Sequence, residues 1–227
     1  MTLTDQEWQA LSLSLKVALT STLLSLLPAV WIAYLLARKQ FVGKSVLNAV
    51  VHLPLILPPV VTGYLLLLGF GTQGPIGAFL AQFGIVFAFR WTGAALAAAV
   101  MAFPLLVRAI RLSIEAVDPK LEAAAATLGT TPCWVFLTVT LPLIAPGVLA
   151  GWVLAFAKAM GEFGATITFV SNVPGQTQTI PSAIYSQLQV PGGEDAALRL
   201  VLISITVSVT ALLVSEWMAQ RAARRVD

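Results

Sequence analysis

Lys158 and Glu162 stand four residues apart in the apolar run VLAFAKAMGEF, residues 153–163. On a helix that spacing puts an ammonium and a carboxylate on one face. Charges inside a membrane are costly, and by default they mark a pathway for ions or substrates. Mutual neutralisation, or a Lys158 that snorkels to the interface, explains the pair equally simply. Gly161 and Gly164 flank Glu162 and serve either as gate hinges or as small-residue contacts between helices. Beyond them Thr166, Thr168, Ser171, Asn172 and Thr179 supply hydroxyls and amides that can replace part of an ion's hydration shell without holding the ion.

Other reactive residues are sparse. Glu115, Asp118 and Glu122 form the only acidic cluster, and Arg111 and Lys120 are interleaved with it, as on a solvated helix face. An integral membrane enzyme would need clustered His, Asp or Glu near one face, and a proton-coupled carrier would need carboxylates deep in the bundle, where Glu162 is the single candidate. One cysteine, Cys133, excludes an internal disulfide, and one histidine, His52, argues against a histidine metal site. His52 is expected to bond backbone carbonyls near Pro54. The run GFGTQG, residues 69–74, matches GxGxxG but sits in no βαβ unit and reads as a turn. GKS at 43–45 lacks the earlier glycine of a phosphate-binding loop, because Arg38 occupies that position. The chain is expected to hold no cofactor and no nucleotide of its own.

The elements that must position these residues are membrane helices. Hydrophobic residues make up 58% of the chain and charged residues 10%, against about 25% charged in soluble domains. The apolar runs are continuous and do not alternate, so the fold class is all-α integral membrane. Five spans are predicted, at about 11–37, 46–70, 91–110, 143–164 and 198–218. Pro54, Pro58 and Pro59 predict a kink or unwinding in the second, and Pro104 and Pro146 mark weaker points. The first run is too long for a signal-peptide core and is expected to remain as a span.

Charge sets the expected orientation. Arg38, Lys39 and Lys44 follow the first span; Arg108, Arg111 and Lys120 follow the third; Arg221, Arg224 and Arg225 follow the fifth. These triplets hold nine of the 13 basic residues. The positive-inside rule then places the N-terminus outside and the C-terminus in the cytoplasm. The segment 162–197 falls outside, and its first half is apolar enough to dip into the membrane. Lys16 reads as a snorkelling anchor, and Trp8, Trp91, Trp152 and Trp217 as interfacial or packing residues. The modest excess of positive charge is spent on orientation and does not point to nucleic acid.

Residues 113–142 form a cytoplasmic loop with its own structure. Asp118 is an N-cap and Pro119 a first helical residue. Leu121, Ala124, Ala125 and Leu128 fall on one stripe, and Gly129 is a helix stop. Thr131-Pro132 restarts a helix that runs to Leu141-Pro142. A ten-residue helix is marginal alone in water. Its small apolar stripe suits docking into a partner's groove, or a connector lying on the membrane.

The stretch LEAAAATLGTTPCWVFLTVTLPL, residues 121–143, resembles the EAA loop of importer-type ABC transporter permeases. In register from Gly129, Val139 stands for the family's Ile and Leu141-Pro142 match. The family's Glu falls on Ala123, with Glu122 one residue earlier. HLPLILPPVVTGYLLL (52–67), FPLLVRAIRLSIEAVD (103–118) and GEFGATITFVSNVPGQTQTIPSAIY (161–185) resemble bacterial molybdate permease subunits. The resemblance implies a coupling loop through Asp118, Leu121, Glu122, Ala123, Ala124, Ala125, Leu128, Gly129, Leu141 and Pro142. It also implies a homodimer on two cytoplasmic ATPase subunits that hold ATP and Mg, fed with molybdate or tungstate by an extracytoplasmic binding protein. The chain itself would be a transport subunit, not an enzyme. Sulfate or another oxyanion is the alternative cargo. Pathway or gate candidates are Lys158, Gly161, Glu162, Gly164, Thr166 and Thr168.

Overall fold

The computed structural model describes the backbone of residues 4–223, with side chains to residue 214 and at Trp217. Arg224 and Arg225, and the side chain of Arg221, lie outside the described residues. Every regular element described is helical. They are α1 (Asp5–Arg38), α2 (Lys44–Ile56), α3 (Pro59–Phe70), α4 (Pro75–Ala81), α5 (Trp91–Ala116), α6 (Pro119–Thr127), α7 (Pro132–Val135), a π turn (Phe136–Thr140), α8 (Leu141–Met160), α9 (Gly164–Val170), α10 (Ile180–Leu188) and α11 (Glu194–Ala223).

Four helical stretches are long and apolar enough to cross a membrane: α1, α5, α7 to α8, and α11. The α2–α3 pair makes a fifth crossing when taken as one broken span. Asn48 of α2 meets Arg111 near the end of α5 (3.1 Å), and Phe70, the last residue of α3, packs on Phe87 just before α5 begins (5.9 Å). The broken pair therefore leads from one end of α5 to the other.

α5 is the centre of the bundle. Ala94, Ala97, Ala98, Leu106, Val107, Ile110 and Ile114 are fully buried between α1 and α8. In lipid there is no hydrophobic drive between helices, so contact depends on close van der Waals approach. The sequence supplies it: Ala18, Thr22, Ser25, Ala29 and Ala33 form a buried small-residue stripe on α1. Freed of packing, Leu23, Leu24, Leu27 and Trp31 lie exposed on the other side of that helix, as lipid requires.

The structure moves several expected boundaries; the last span begins at Glu194 rather than 198 and runs to Ala223 rather than 218. α1 begins at Asp5 rather than 11, because Thr4 and Glu7 form a capping box. Glu7 is buried and paired with Arg199 of α11 (2.9 Å), tying the first and last spans together. α5 continues to Ala116. The fourth span ends at Met160, so Glu162 is not on the same helix as Lys158: Gly161, Glu162 and Phe163 form a break before α9. α9 then enters the bundle against α3 and α5, with Ala165, Phe169 and Val170 fully buried.

Candidate functional site

Two broken helices meet at their breaks. Pro58 and Pro59 cannot donate backbone hydrogen bonds, and Pro58 forces Leu57 out of the helical region, to φ −70° and ψ 143°. α2 stops there, Pro59 starts α3, and the axis turns by 116°. Opposite lies the break between α8 and α9. A Cβ on Gly164 would stand 2.7 Å from Pro59, and one on Gly63 would stand 2.5 Å from the Ala165 carbonyl. Only glycine permits this approach. Non-helical backbone at membrane depth persists only where protein buries it or a cavity receives it, so the two breaks shield each other.

Glu162 sits inside this junction, 3% exposed. Its Oε2 lies 2.9 Å from Lys158 Nζ, and its Oε1 accepts from the Ala165 amide at 3.0 Å. The carboxylate thus neutralises Lys158 and caps the start of α9 at once. The i, i+4 contact expected from the sequence forms across a turn rather than along a helix. Gly161 is the C-cap of α8. Thr166 is buried, and Thr168 donates to the Gly164 carbonyl (2.9 Å) within α9. Asn172 donates to Ser186 and Thr179 pairs with Ser182, so these groups brace the α9–α10 segment internally. His52 Nδ1 lies 2.8 Å from the Asn48 carbonyl, inside α2.

The second site is the loop after α5. Asp118 Oδ1 accepts from the Lys120 amide at 2.9 Å, and Pro119 opens α6. No residue of α6 is buried. Leu121 and Leu128 are 50% and 84% exposed; Ala123 and Ala124 are open, and Ala125 is half-buried. Gly129 takes φ +81°, and Thr130 Oγ1 donates to the Ala125 carbonyl at 2.8 Å, closing the helix. Behind it the π turn leads into Leu141 and Pro142 at the head of α8.

Glu122 is the anchor of this loop. Its Oε2 stands 3.1 Å from Arg38 Nε, its Oε1 takes a 3.4 Å hydrogen bond from Arg38 Nη2, and Thr140 Oγ1 donates to Oε1 at 2.7 Å. Arg38 also donates to the Val117 carbonyl at 2.8 Å. The base of α6 is therefore fastened to the end of α1 and to the π turn, while its apolar stripe points away. Sequence reasoning missed Arg38 and Thr140 as partners, having read Arg38 only as an orienting charge. Among the described residues no group of three His, Cys, Asp or Glu side chains could hold a metal.

The family "Binding-protein-dependent transport system inner membrane component" matches residues 21–227. The molybdenum transport system permease protein ModB of Escherichia coli (strain K12) is 59% identical over 226 residues, 99% of each chain. The protein of the same name from Haemophilus influenzae is 58% identical over 97% of this chain and 96% of its own. The sulfate transport system permease protein CysW of Synechococcus elongatus is 38% identical over 90% of this chain and 73% of its own. Among solved structures, a bacterial ABC transporter that imports the acidic polysaccharide alginate superposes with a TM-score of 0.76 over 96% of this chain and 80% of its own, at 18% identity. A likeness at that identity speaks for the fold.

Proposed function

The chain belongs to the binding-protein-dependent transport system inner membrane components, and we propose that it is the membrane-spanning permease subunit of an ATP-driven molybdate importer. The observation that carries this reading is the 59% identity to a molybdenum permease across 99% of both chains. The exposed α6 stripe is the docking surface for a separate ATPase subunit, and the Arg38–Glu122–Thr140 clamp carries its movement into α1 and α8. The N-terminus then lies outside, with α6 in the cytoplasm.

Two copies form the pathway. Five crossings without an internal repeat enclose little, whereas a two-fold pair supplies ten around one axis. The packed breaks of α2–α3 and α8–α9 are the elements that rearrange. ATP binding draws the two α6 helices together and opens the pathway outward; hydrolysis resets it. A membrane potential of 100 mV, negative inside, opposes entry of a dianion by roughly 2 × 2.3 kcal/mol. Lys158 and Glu162 neutralise each other, and in this reading the energy for uphill entry comes from the ATPase. An extracytoplasmic binding protein delivers the anion.

The test is uptake of labelled molybdate by a bacterial host stripped of its own molybdate permease and given this chain with its ATPase and binding protein. Uptake that requires all three supports the reading. Sulfate uptake without molybdate uptake would favour the second reading, a sulfate permease, for which the 38% identity to CysW speaks.

A further inference from the structure

At the end of the bundle away from α6 lies a cavity of about 530 Å³ between the third and fourth turns of α1, the loop before α5 and the loop at Gly175. Lys16 and Arg90 both line it. Lys16 Nζ sits 3.7 Å from the centre of the Trp91 ring, a cation–π contact that holds the ammonium at the cavity wall. Arg90 caps the start of α5, whose positive end adds to the field. Among the described residues neither cation meets a carboxylate: the ion pairs found there use Arg38, Arg111, Lys158 and Arg199. Phe89, with a left-handed φ of +56°, turns the chain immediately before Arg90 and leaves its own ring exposed. Two uncompensated cations, the Gln176 amide and an apolar wall make a place for an anion with a greasy body.

We propose that this cavity binds the phosphate of an anionic phospholipid, in the leaflet away from α6. Phosphate as such could come from a lipid or from free solution, and the position of Lys16 favours the lipid. Seven and eleven residues further along α1, on the same exposed face, lie Leu23 and Leu27. That face extends about 16 Å below the ammonium at 1.5 Å per residue, close to the half-thickness of a hydrocarbon core of about 30 Å. A headgroup held by Lys16 and Arg90 thus lays an acyl chain along a ready apolar track. Basic pockets between membrane helices bind lipid headgroups on the cytoplasmic side, and Lys16 and Arg90 place the same chemistry at the opposite end of the bundle. The bound lipid fastens the α4–α5 loop to α1 and closes a seam at the rim of the bundle.

The experiment uses the purified full-length chain in mild detergent, with dioleoyl phosphatidylglycerol as probe and native mass spectrometry as readout. One phosphatidylglycerol should be retained per subunit. Lys16→Gln and Arg90→Gln should each lower retention about five-fold, and the double variant about thirty-fold. Lys16→Arg with Arg90→Lys should restore most of it, which separates lost charge from lost fold; Lys44→Gln, at the other end of the bundle, should change nothing. Millimolar inorganic phosphate or molybdate should not displace the lipid. Retention unchanged in the double variant would overturn the proposal. So would displacement by either inorganic ion, which would make the cavity a free-oxyanion site.

Discussion

Arg38 precedes Glu122 by 84 residues, yet its Nε stands 3.1 Å from the Glu122 carboxylate at the base of α6. Both side chains are largely shielded, 15% and 19% exposed. A charge-assisted contact of this kind contributes about 1.5–3 kcal/mol. Arg38→Ala and Glu122→Ala should each lower thermal stability in detergent and weaken copurification of the ATPase subunit. In a double-mutant cycle the two losses should be strongly non-additive. Additive losses would mean that the contact transmits nothing.

Gly129 offers a cleaner test of the same loop. Its φ of +81° disfavours any Cβ, although the space around it is open. Gly129→Val should therefore cost backbone strain of about 1–2 kcal/mol without a clash, and tilt α6 away from its seat. Gly129→Asn, which tolerates this conformation, should keep most uptake. The expected outcome is normal membrane level with uptake lost for Val and retained for Asn. Equal uptake in both would remove the coupling role.

Cys133, free and exposed at the start of α7, reports orientation. A membrane-impermeant maleimide should not label it in intact cells and should label it after permeabilisation once the ATPase is removed. Labelling from outside would invert the proposed topology.

These loop features were legible because each rests on neighbours in sequence. Asp118-Pro119 and Gly129 encode the limits of α6 through caps and φ alone. The spans were legible from continuous apolar runs. The Arg38–Glu122–Thr140 clamp was not, because nothing local distinguishes a charge that orients a helix from one that pairs across the fold. The break at Gly161 was hidden for a different reason: i, i+4 spacing brings Lys158 and Glu162 together whether the backbone is a helix or a capping turn. Thr4 and Glu7 spelled a capping box, but the polar start of α1 reads as a tail when hydropathy alone sets the boundary. Pro58 and Pro59 announced an interruption, but neither residue spells the size of the turn, 116°, or the packing of α9 against α3.

The junction of the breaks should tolerate little added volume. In Gly63→Ala the new methyl would meet the Ala165 backbone at 2.5–2.8 Å and Thr168 Cβ at 2.9 Å. Overpacking of this order costs about 1–3 kcal/mol. Lower thermal stability and slower uptake are expected together, because α3 and α9 must separate slightly. Gly69→Ala, where a Cβ meets nothing, is the control. Matching behaviour of the two variants would show that close approach at Gly63 is not required.

Selection of the anion should occur before it reaches this subunit. Burying even one small ion has an idealised cost of order 20 kcal/mol, and several kcal/mol remain after relaxation. A tight site for a tetrahedral dianion would need free cations or several converging donors. At the packed breaks the nearest cation, Lys158, is already held by Glu162 at 2.9 Å, and the Ala165 amide is taken by the same carboxylate. Thr168, Asn172 and Thr179 are engaged within their own segment. What remains can pass a hydrated ion but not grip it. Calorimetry on the permease–ATPase complex without binding protein should find no molybdate binding tighter than about 10 μM, or roughly −7 kcal/mol. Glu162→Gln, which releases Lys158 from its counter-charge, should tighten binding relative to the wild type. A submicromolar site in the wild type, lost in Lys158→Ala, would make the permease itself the selector.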